Sequence, residues 1–362
     1  MTSIDFVNKL AWPTDLHKSI IEKLKEQTLP LIIYGGGSLS VSVRRLLEKE
    51  NIKITAYWVD GAEQNEMKEG LPVLKIEQIH EQYGDVNVVL GHSKYELSDN
   101  IKKTYSFIKN VFCLVNVCYG RWKGIDADFV RSHVEDYVRT VNLVGDTKSR
   151  ECVLAYLNCK MTEDFRYILP LLDERVSYFN NPFWIVGDTE EYADIGAYNG
   201  DTIKEFLQAV NNHYKTIYAV EPEEKNYLEL ENYIKENNVN NIHTYRVGCW
   251  NSKTVLTFQE SDESSSITSG MGIKVSAVPL DEILENRGVT ILKINYLEGV
   301  VECLEGAEHL LKNQQPKLII TVGFDEWGII KIPQLVKKIN PQYKIYLRYA
   351  AAMPARLIMF AC

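Results

Sequence analysis

Tyr192-Ala193-Asp194-Ile195-Gly196-Ala197-Tyr198-Asn199-Gly200-Asp201-Thr202 is the stretch on which the reading of this chain turns. An apolar run enters it (Phe183-Trp184-Ile185-Val186, then Tyr192-Ala193), and Ile203, Phe206, Leu207 and Val210 leave it at helical spacing. The pattern is strand, glycine loop, helix. Gly196 and Gly200 carry no Cβ, so the backbone there turns sharply and comes close to a ligand. The free N–H groups of the following helix point back over the loop. Further along, the strand-like run Thr216-Ile217-Tyr218-Ala219-Val220 ends in Glu221-Pro222. An acid there stands where ribose hydroxyls are hydrogen-bonded.

The loop reads D-x-G-x-x-x-G, whereas a dinucleotide loop reads G-x-G-x-x-G. Asp194 just before the first glycine would repel a pyrophosphate and suits a ligand with a cationic centre or a free amino group. S-adenosylmethionine has both, and a ribose for Glu221. The candidate cofactor residues are therefore Asp194, Gly196, Ala197, Tyr198, Asn199, Gly200, Asp201 and Thr202, with Glu221 and Pro222. An ordinary strand-to-helix turn is the bland alternative, and the downstream acid weighs against it.

With 362 residues, two domains and a connector are expected. Residues 1–121 read as an N-terminal Rossmann-like domain, 122–182 as a helical connector and 183–362 as the domain of the glycine loop. At 45% hydrophobic and 25% charged the composition is that of a globular protein. A formal net charge of −9 without a basic stripe speaks against nucleic-acid binding. No apolar run reaches bilayer length, and the first residues lack the basic and apolar regions of a signal peptide. The seven cysteines are scattered without a C-x-x-C pair, so reduced thiols, no metal site and a cytoplasmic location are expected.

In chain order, residues 1–30 read as helical, with Leu16-His17 through Leu24 amphipathic and Thr14 as the cap. Leu31-Ile32-Ile33-Tyr34, the loop Gly35-Gly36-Gly37-Ser38-Leu39-Ser40, a helix and a strand over 52–59 ending at Asp60-Gly61 come close to a dinucleotide fingerprint. Gly35, Gly37 and Asp60 are thus candidates for a second nucleotide site, set beside a plain glycine turn of equal weight. A helix over 76–83 and strands over 86–90 and 111–115 complete that sheet, and His92 reads as a loop residue. The connector is helical, with Asp146-Thr147-Lys148-Ser149 as a helix start, and linkage is its expected role. Beyond Glu221 come a helix over 225–237 and strands over 242–247, 255–258 and 275–278, with Ser264-Ser265-Ser266 in a polar loop. A short helix over 280–284, a strand over 290–294, a helix over 301–311 and a strand over 317–322 follow. Residues 343–349 and 356–360 pair as a closing antiparallel hairpin. The expected fold is α/β, two Rossmann-like doubly wound sheets, the C-terminal one laid out as a class I methyltransferase.

The motifs sharpen this. Asp194-Ile195-Gly196-Ala197-Tyr198-Asn199-Gly200-Asp201-Thr202 resembles the D-x-G-A-x-x-G-D-T loop of the FkbM family of S-adenosylmethionine-dependent methyltransferases. Glu221-Pro222, Val247-Gly248-Cys249-Trp250 and Leu280-Asp281-Glu282-Ile283 are similar to its later motifs, and Asp146-Thr147-Lys148-Ser149 through Tyr178-Phe179 to its connector. The N-terminal unit is similar to domains of sugar-modifying enzymes. The resemblance implies S-adenosylmethionine as cofactor, Cys249 and Trp250 among its contacts, and O-methylation of a sugar or other hydroxylated metabolite in glycan or natural-product biosynthesis. Expected partners are a small-molecule or glycan acceptor, a nucleotide-linked sugar among the candidates, and a second copy of the chain.

The departures fall on the acceptor side. The family's K-x-D-x-E-G-A-E run reads Lys293-Ile294-Asn295-Tyr296-Leu297-Glu298-Gly299-Val300, so Asn295 stands for the Asp and Leu297 for the Glu. A slip of one residue gives Glu298-Gly299 the E-G role. Phe324 and Tyr349 stand where imidazoles are common. An alcohol must lose its proton near the moment of attack, and an amide cannot take it at neutral pH. The leading expectation is an active methyltransferase in which Asn295 orients the acceptor and Glu298 or His243 serves as base. Close behind stands a cofactor-binding pseudo-methyltransferase acting as a binding or scaffolding protein. A nucleotide-sugar or nicotinamide enzyme working from the first glycine loop comes third, since no Tyr-x-x-x-Lys pair accompanies it.

Overall fold

The computed structural model describes residues 1–14, 18–118, 121–122, 125–173, 175–259, 266–267, 272–285, 287–296 and 298–362. Leu16, His17, Ser264, Ser265 and Leu297 lie outside the described residues.

The N-terminal segment forms two short helices, α1 (Ser3–Val7) and α2 (Ile20–Lys25). Ser19, not Thr14, caps the second: its hydroxyl accepts from the Glu22 N–H while the Glu22 carboxylate accepts from the Ser19 N–H. There follow β1 (Leu31–Tyr34), α3 (Ser38–Lys49), β2 (Ala56–Trp58), β3 (Met67–Lys68), β4 (Leu71–Leu74), α4 (Ile76–Tyr83) and β5 (Val86–Leu90). Then come α5 (Ser98–Thr104) and β6 (Ile108–Phe112), three residues earlier than expected. The strands lie in the order β3-β4-β2-β1-β5-β6, parallel but for β3, and the direction of winding reverses between β1 and β5. The expected strand over 52–59 is shorter because residues 52–55 lead into the sheet without pairing as strand.

After the small hairpin β7 (Val117–Cys118) and β8 (Arg121–Trp122), the connector folds as α6 (Ala127–Ser132), α7 (Val134–Leu143) and α8 (Thr147–Thr162). It is more than linkage. The Tyr137 and Tyr156 hydroxyls donate to the Glu326 and Asp325 carbonyls, and the Asn116 amide donates to the Lys160 carbonyl. Apolar side chains of both sheets and the connector, from Ile32 through Tyr156 to Leu347, form one continuous buried core.

The second unit begins with β9 (Glu191–Ile195), α9 (Asp201–Ala209), β10 (Thr216–Val220), α10 (Glu224–Glu236), β11 (Ile242–Tyr245) and β12 (Gly248–Cys249). An arm of β13 (Thr254–Gln259), β14 (Ser266–Ile267) and β15 (Ile273–Val278) follows, then α11 (Leu280–Ile283) and β16 (Ile291–Ile294). The chain closes with α12 (Val300–Glu305), α13 (Glu308–Asn313), β17 (Lys317–Thr321), α14 (Gly328–Ile339), β18 (Ile345–Tyr349) and β19 (Leu357–Ala361). Seven strands pair as β11-β10-β9-β16-β17-β19-β18, with β19 antiparallel to both its neighbours. That is the doubly wound sheet with a terminal hairpin read from the sequence.

Three local readings need correction. Phe183-Trp184-Ile185-Val186 is not strand: Phe183 stacks on Tyr346 at 4.1 Å, Trp184 meets Phe360 edge-on, and Ile185 is 90% exposed. The expected single helix over 301–311 breaks at Gly306, where a Cβ would stand 2.1 Å from the Trp250 carbonyl oxygen. Finally, α14 went unread, because Pro333 lies inside it and a proline ordinarily ends a helix.

Candidate functional site

The glycine loop joins β9 to α9 at the carboxyl edge of the sheet. Gly196 has φ +77°, and a Cβ there would lie 2.8 Å from the Asn295 carbonyl oxygen. Gly200 has φ +87° and presses on Tyr233, where a Cβ would come within 2.8 Å. Both positions therefore need glycine for conformation and for space. Between them Ala197 is buried, Asn199 is half-buried, and Tyr198 takes a left-handed φ of +50° with its ring partly exposed. The loop is tied to β10, since the Gly196 and Ala197 N–H groups both donate to the Val220 carbonyl.

Asp194 does not face a ligand, as the sequence suggested. It is wholly buried: Oδ1 accepts from Lys293 Nζ at 2.7 Å and Oδ2 from Thr202 Oγ1 at 2.6 Å. The cause is register. Asp194 on β9 and Lys293 on β16 are direct cross-strand neighbours, so their side chains share one face of the sheet. Burial pulls the Lys293 pKa down, but the Asp194 carboxylate outweighs it and leaves the ammonium above its usual value. Thr202 thus belongs to this buried network. Asp201 stays exposed at the start of α9, where its carboxylate accepts from the Thr202 N–H.

Glu221 closes the other side. It is buried, its Oε2 accepting from the Tyr198 N–H at 2.9 Å and its Oε1 from the Glu223 N–H at 3.0 Å. Burial pushes its carboxyl up to about 7 despite those two hydrogen bonds. The acid at the end of β10 and the glycine loop after β9 are thus one hydrogen-bonded unit, with half-buried Pro222 following.

Cys249 and Trp250 lie at the end of β12. The Cys249 thiol is buried and turned to Cys303 of α12, which with burial drives its pKa well up, so it presents no thiolate. The Trp250 N–H donates to the Val278 carbonyl.

On the acceptor side, Asn295 follows β16 directly, and its Oδ1 is buried with no hydrogen-bond partner among the described residues. Glu298 is half-buried two residues before α12. Phe324 packs against Ala355 of the hairpin connection, and Tyr349 is wholly buried at the end of β18. His243 is not beside them. It sits on edge strand β11, stacked on Tyr218 at a centroid distance of 5.7 Å, with β10 and β9 between it and β16.

At the N-terminal sheet, Gly35 has φ +130° and abuts the Gly91 carbonyl, whereas a Cβ at Gly37 would meet nothing within 4 Å. Asp60 is exposed and accepts from the Tyr34 hydroxyl and the Trp58 indole N–H, each at 2.9 Å. The His92 Nδ1 accepts from the Lys94 N–H. Among the described residues no cluster of His, Cys, Asp and Glu forms a metal site, and no helix is long and apolar enough to cross a membrane.

What sequence reasoning missed is the role of Lys293, quoted above only as part of a motif. A single charge inside Ile291-Leu292-Lys293-Ile294 was the available signal, because a cation in an otherwise apolar buried strand requires a buried partner.

Residues 194–341 match the family model described as the methyltransferase FkbM domain. No curated protein matches the chain. Among solved structures, a methyltransferase FkbM from Methylobacillus flagellatus KT superposes with a TM-score of 0.68 at 17% identity, over 99% of this chain and 97% of its own. That likeness extends the fold to both sheets and the connector. A precorrin-6y C5,15-methyltransferase from Geobacter metallireducens GS-15 aligns at a TM-score of 0.33 and 11% identity, over 49% of this chain and 80% of its own. Fibrillarin from Aeropyrum pernix, with bound S-adenosyl-L-methionine, aligns at 0.33 and 12%, over 49% and 69%.

Proposed function

We propose that the chain, whose residues 194–341 match the methyltransferase FkbM domain, methylates a hydroxyl of a sugar or other small hydroxylated metabolite, with S-adenosylmethionine as donor. The observation that carries the reading is the Glu221–Tyr198 hydrogen bond, which joins a buried acid at the end of β10 to the glycine loop. The residues present fit such a donor. Glu221 offers lone pairs to ribose hydroxyls. Gly196, where a Cβ would collide with the Asn295 carbonyl, lets the glycine loop lie close against the end of β16. The dipole at the start of α9 favours the carboxylate of an amino-acid tail.

When bound, the sulfonium supplies an electrophilic methyl group. The chain's own part is to hold, orient and handle a proton. Tyr198, Gly196 and Glu221 hold the donor side, while Asn295 at the end of β16 orients the acceptor. Glu298, three residues beyond it, would be the carboxylate that takes the proton. Orientation alone supplies a large share of rate acceleration, so a weak base does not preclude turnover.

A second reading rests on Asn295 itself. An amide stands at the end of β16 where the family carries Asp, which favours a donor-binding protein without turnover. Calorimetric titration with S-adenosylmethionine and its demethylated product tests the donor. Transfer from the labelled donor to sugars and cell-extract glycans then separates enzyme from pseudo-enzyme. Binding without transfer selects the second reading, and no binding of either nucleoside overturns both.

A further inference from the structure

Lys293 is buried, and all three of its ammonium hydrogens have partners. They go to Asp194 Oδ1 at 2.7 Å, the Gly196 carbonyl at 2.9 Å and Thr202 Oγ1 at 3.2 Å. Thr202 Oγ1 in turn donates to Asp194 Oδ2, which closes the ring. These partners belong to the end of β9, the first residue of the turn and the first turn of α9, so one side chain ties the two ends of the glycine loop together.

We propose that Lys293 is the positioning residue of the donor loop: it sets the Gly196 peptide, and donor affinity depends on it although it never meets the donor. This rests on the donor reading above. Stability does not account for the pair, because a buried ion pair seldom outperforms well-packed apolar residues, and the strand supplies those at Ile291, Leu292 and Ile294. What an apolar side chain cannot do is hold a carbonyl. The Gly196 carbonyl is held by Lys293 while its N–H donates to Val220, and a glycine at φ +77° has other backbone conformations open to it once that hold is released. A loop held in its binding conformation loses less entropy when ligand arrives.

The decisive variant is D194N/K293M, which removes both charges together and leaves no unpaired ion. Three quantities are read: the denaturation midpoint, amide hydrogen exchange over residues 195–203 in the free protein, and S-adenosylmethionine affinity by calorimetry. The expected result is a midpoint close to wild type, exchange across the loop at least tenfold faster, and affinity weaker by tenfold or more. Wild-type affinity and wild-type exchange in a folded D194N/K293M overturn the proposal. If that variant does not fold, T202V takes its place, since it removes one partner and keeps both charges; severalfold weaker binding supports the clamp and unchanged binding sinks it. Should the wild-type protein bind no S-adenosylmethionine, the donor reading falls, and the exchange measurement alone still decides whether Lys293 holds the loop.

Discussion

The Arg348 guanidinium donates to Asp146 Oδ2 at 2.6 Å and to Ser149 Oγ at 3.1 Å, which pins the first turn of α8 to strand β18 across 202 positions of sequence. Its plane also lies over the Phe183 ring at 4.8 Å. Burial would raise the Asp146 carboxyl, but Arg348 and Ser149 outweigh it and hold it down at about 2. A depressed folded-state value means the unfolded chain binds the extra proton. The contribution is therefore complete above the ordinary carboxylate range and is lost as pH falls from about 4 towards 2. Arg348→Met should destabilise the protein by about 1–3 kcal/mol in urea denaturation at pH 7, and by less at pH 3.

Glu221 titrates in the opposite sense. Its folded-state value of about 7 lies above the ordinary glutamate value of 4.5, so the folded protein binds the extra proton. Stability from this group is present below about 4.5 and falls as pH rises through about 7. Glu221→Gln should flatten the stability profile between those values. It should also weaken S-adenosylmethionine binding by about tenfold, the loss of one good charged hydrogen bond to a ribose hydroxyl.

Gly196 is held by conformation and by space together. Gly196→Ala places a Cβ 2.8 Å from the Asn295 carbonyl at a φ of +77°. A stability loss of about 1–2 kcal/mol is expected from the left-handed backbone alone. Donor affinity should fall further than stability does, which calorimetry beside denaturation will read.

On the proposed reading, Asn295 stands where a base would take the acceptor's proton. If the missing base limits the rate, Asn295→Asp should raise turnover by about 10²-fold or more and give the rate a carboxylate limb at low pH. An unchanged rate in a variant that still binds the donor would place proton removal at Glu298, and Glu298→Gln should then abolish it.

Much of this was legible because the signals are local. Ile76–Tyr83 and Val86–Leu90 stood out as helix and strand since Gly84-Asp85 punctuates them, and Asp146 caps α8 through a contact three residues away. The glycine loop was readable for the same reason: the turn itself demands Gly196 and Gly200. Where the local signal misled, packing had overridden it. Phe183 and Trp184 look like strand, yet they pack as rings on Tyr346 and Phe360 of the hairpin, and Pro333 is tolerated in α14 because that helix is packed along a buried face.

The chain alone determined the alternation of strands and helices, the place of the turn and the acid that follows it, since each depends on residues a few positions apart. Only the assembled sheet decided what Asp194 does. With β9 beside β16, a carboxylate that the linear pattern aimed at a ligand meets a lysine 99 positions away. The same strand order leaves two strands between His243 and β16, and the assembled fold brings Arg348 to Asp146. Spacing along a chain specifies conformation, whereas partnership between charges depends on which strands become neighbours, and that is settled by burial of the whole sheet.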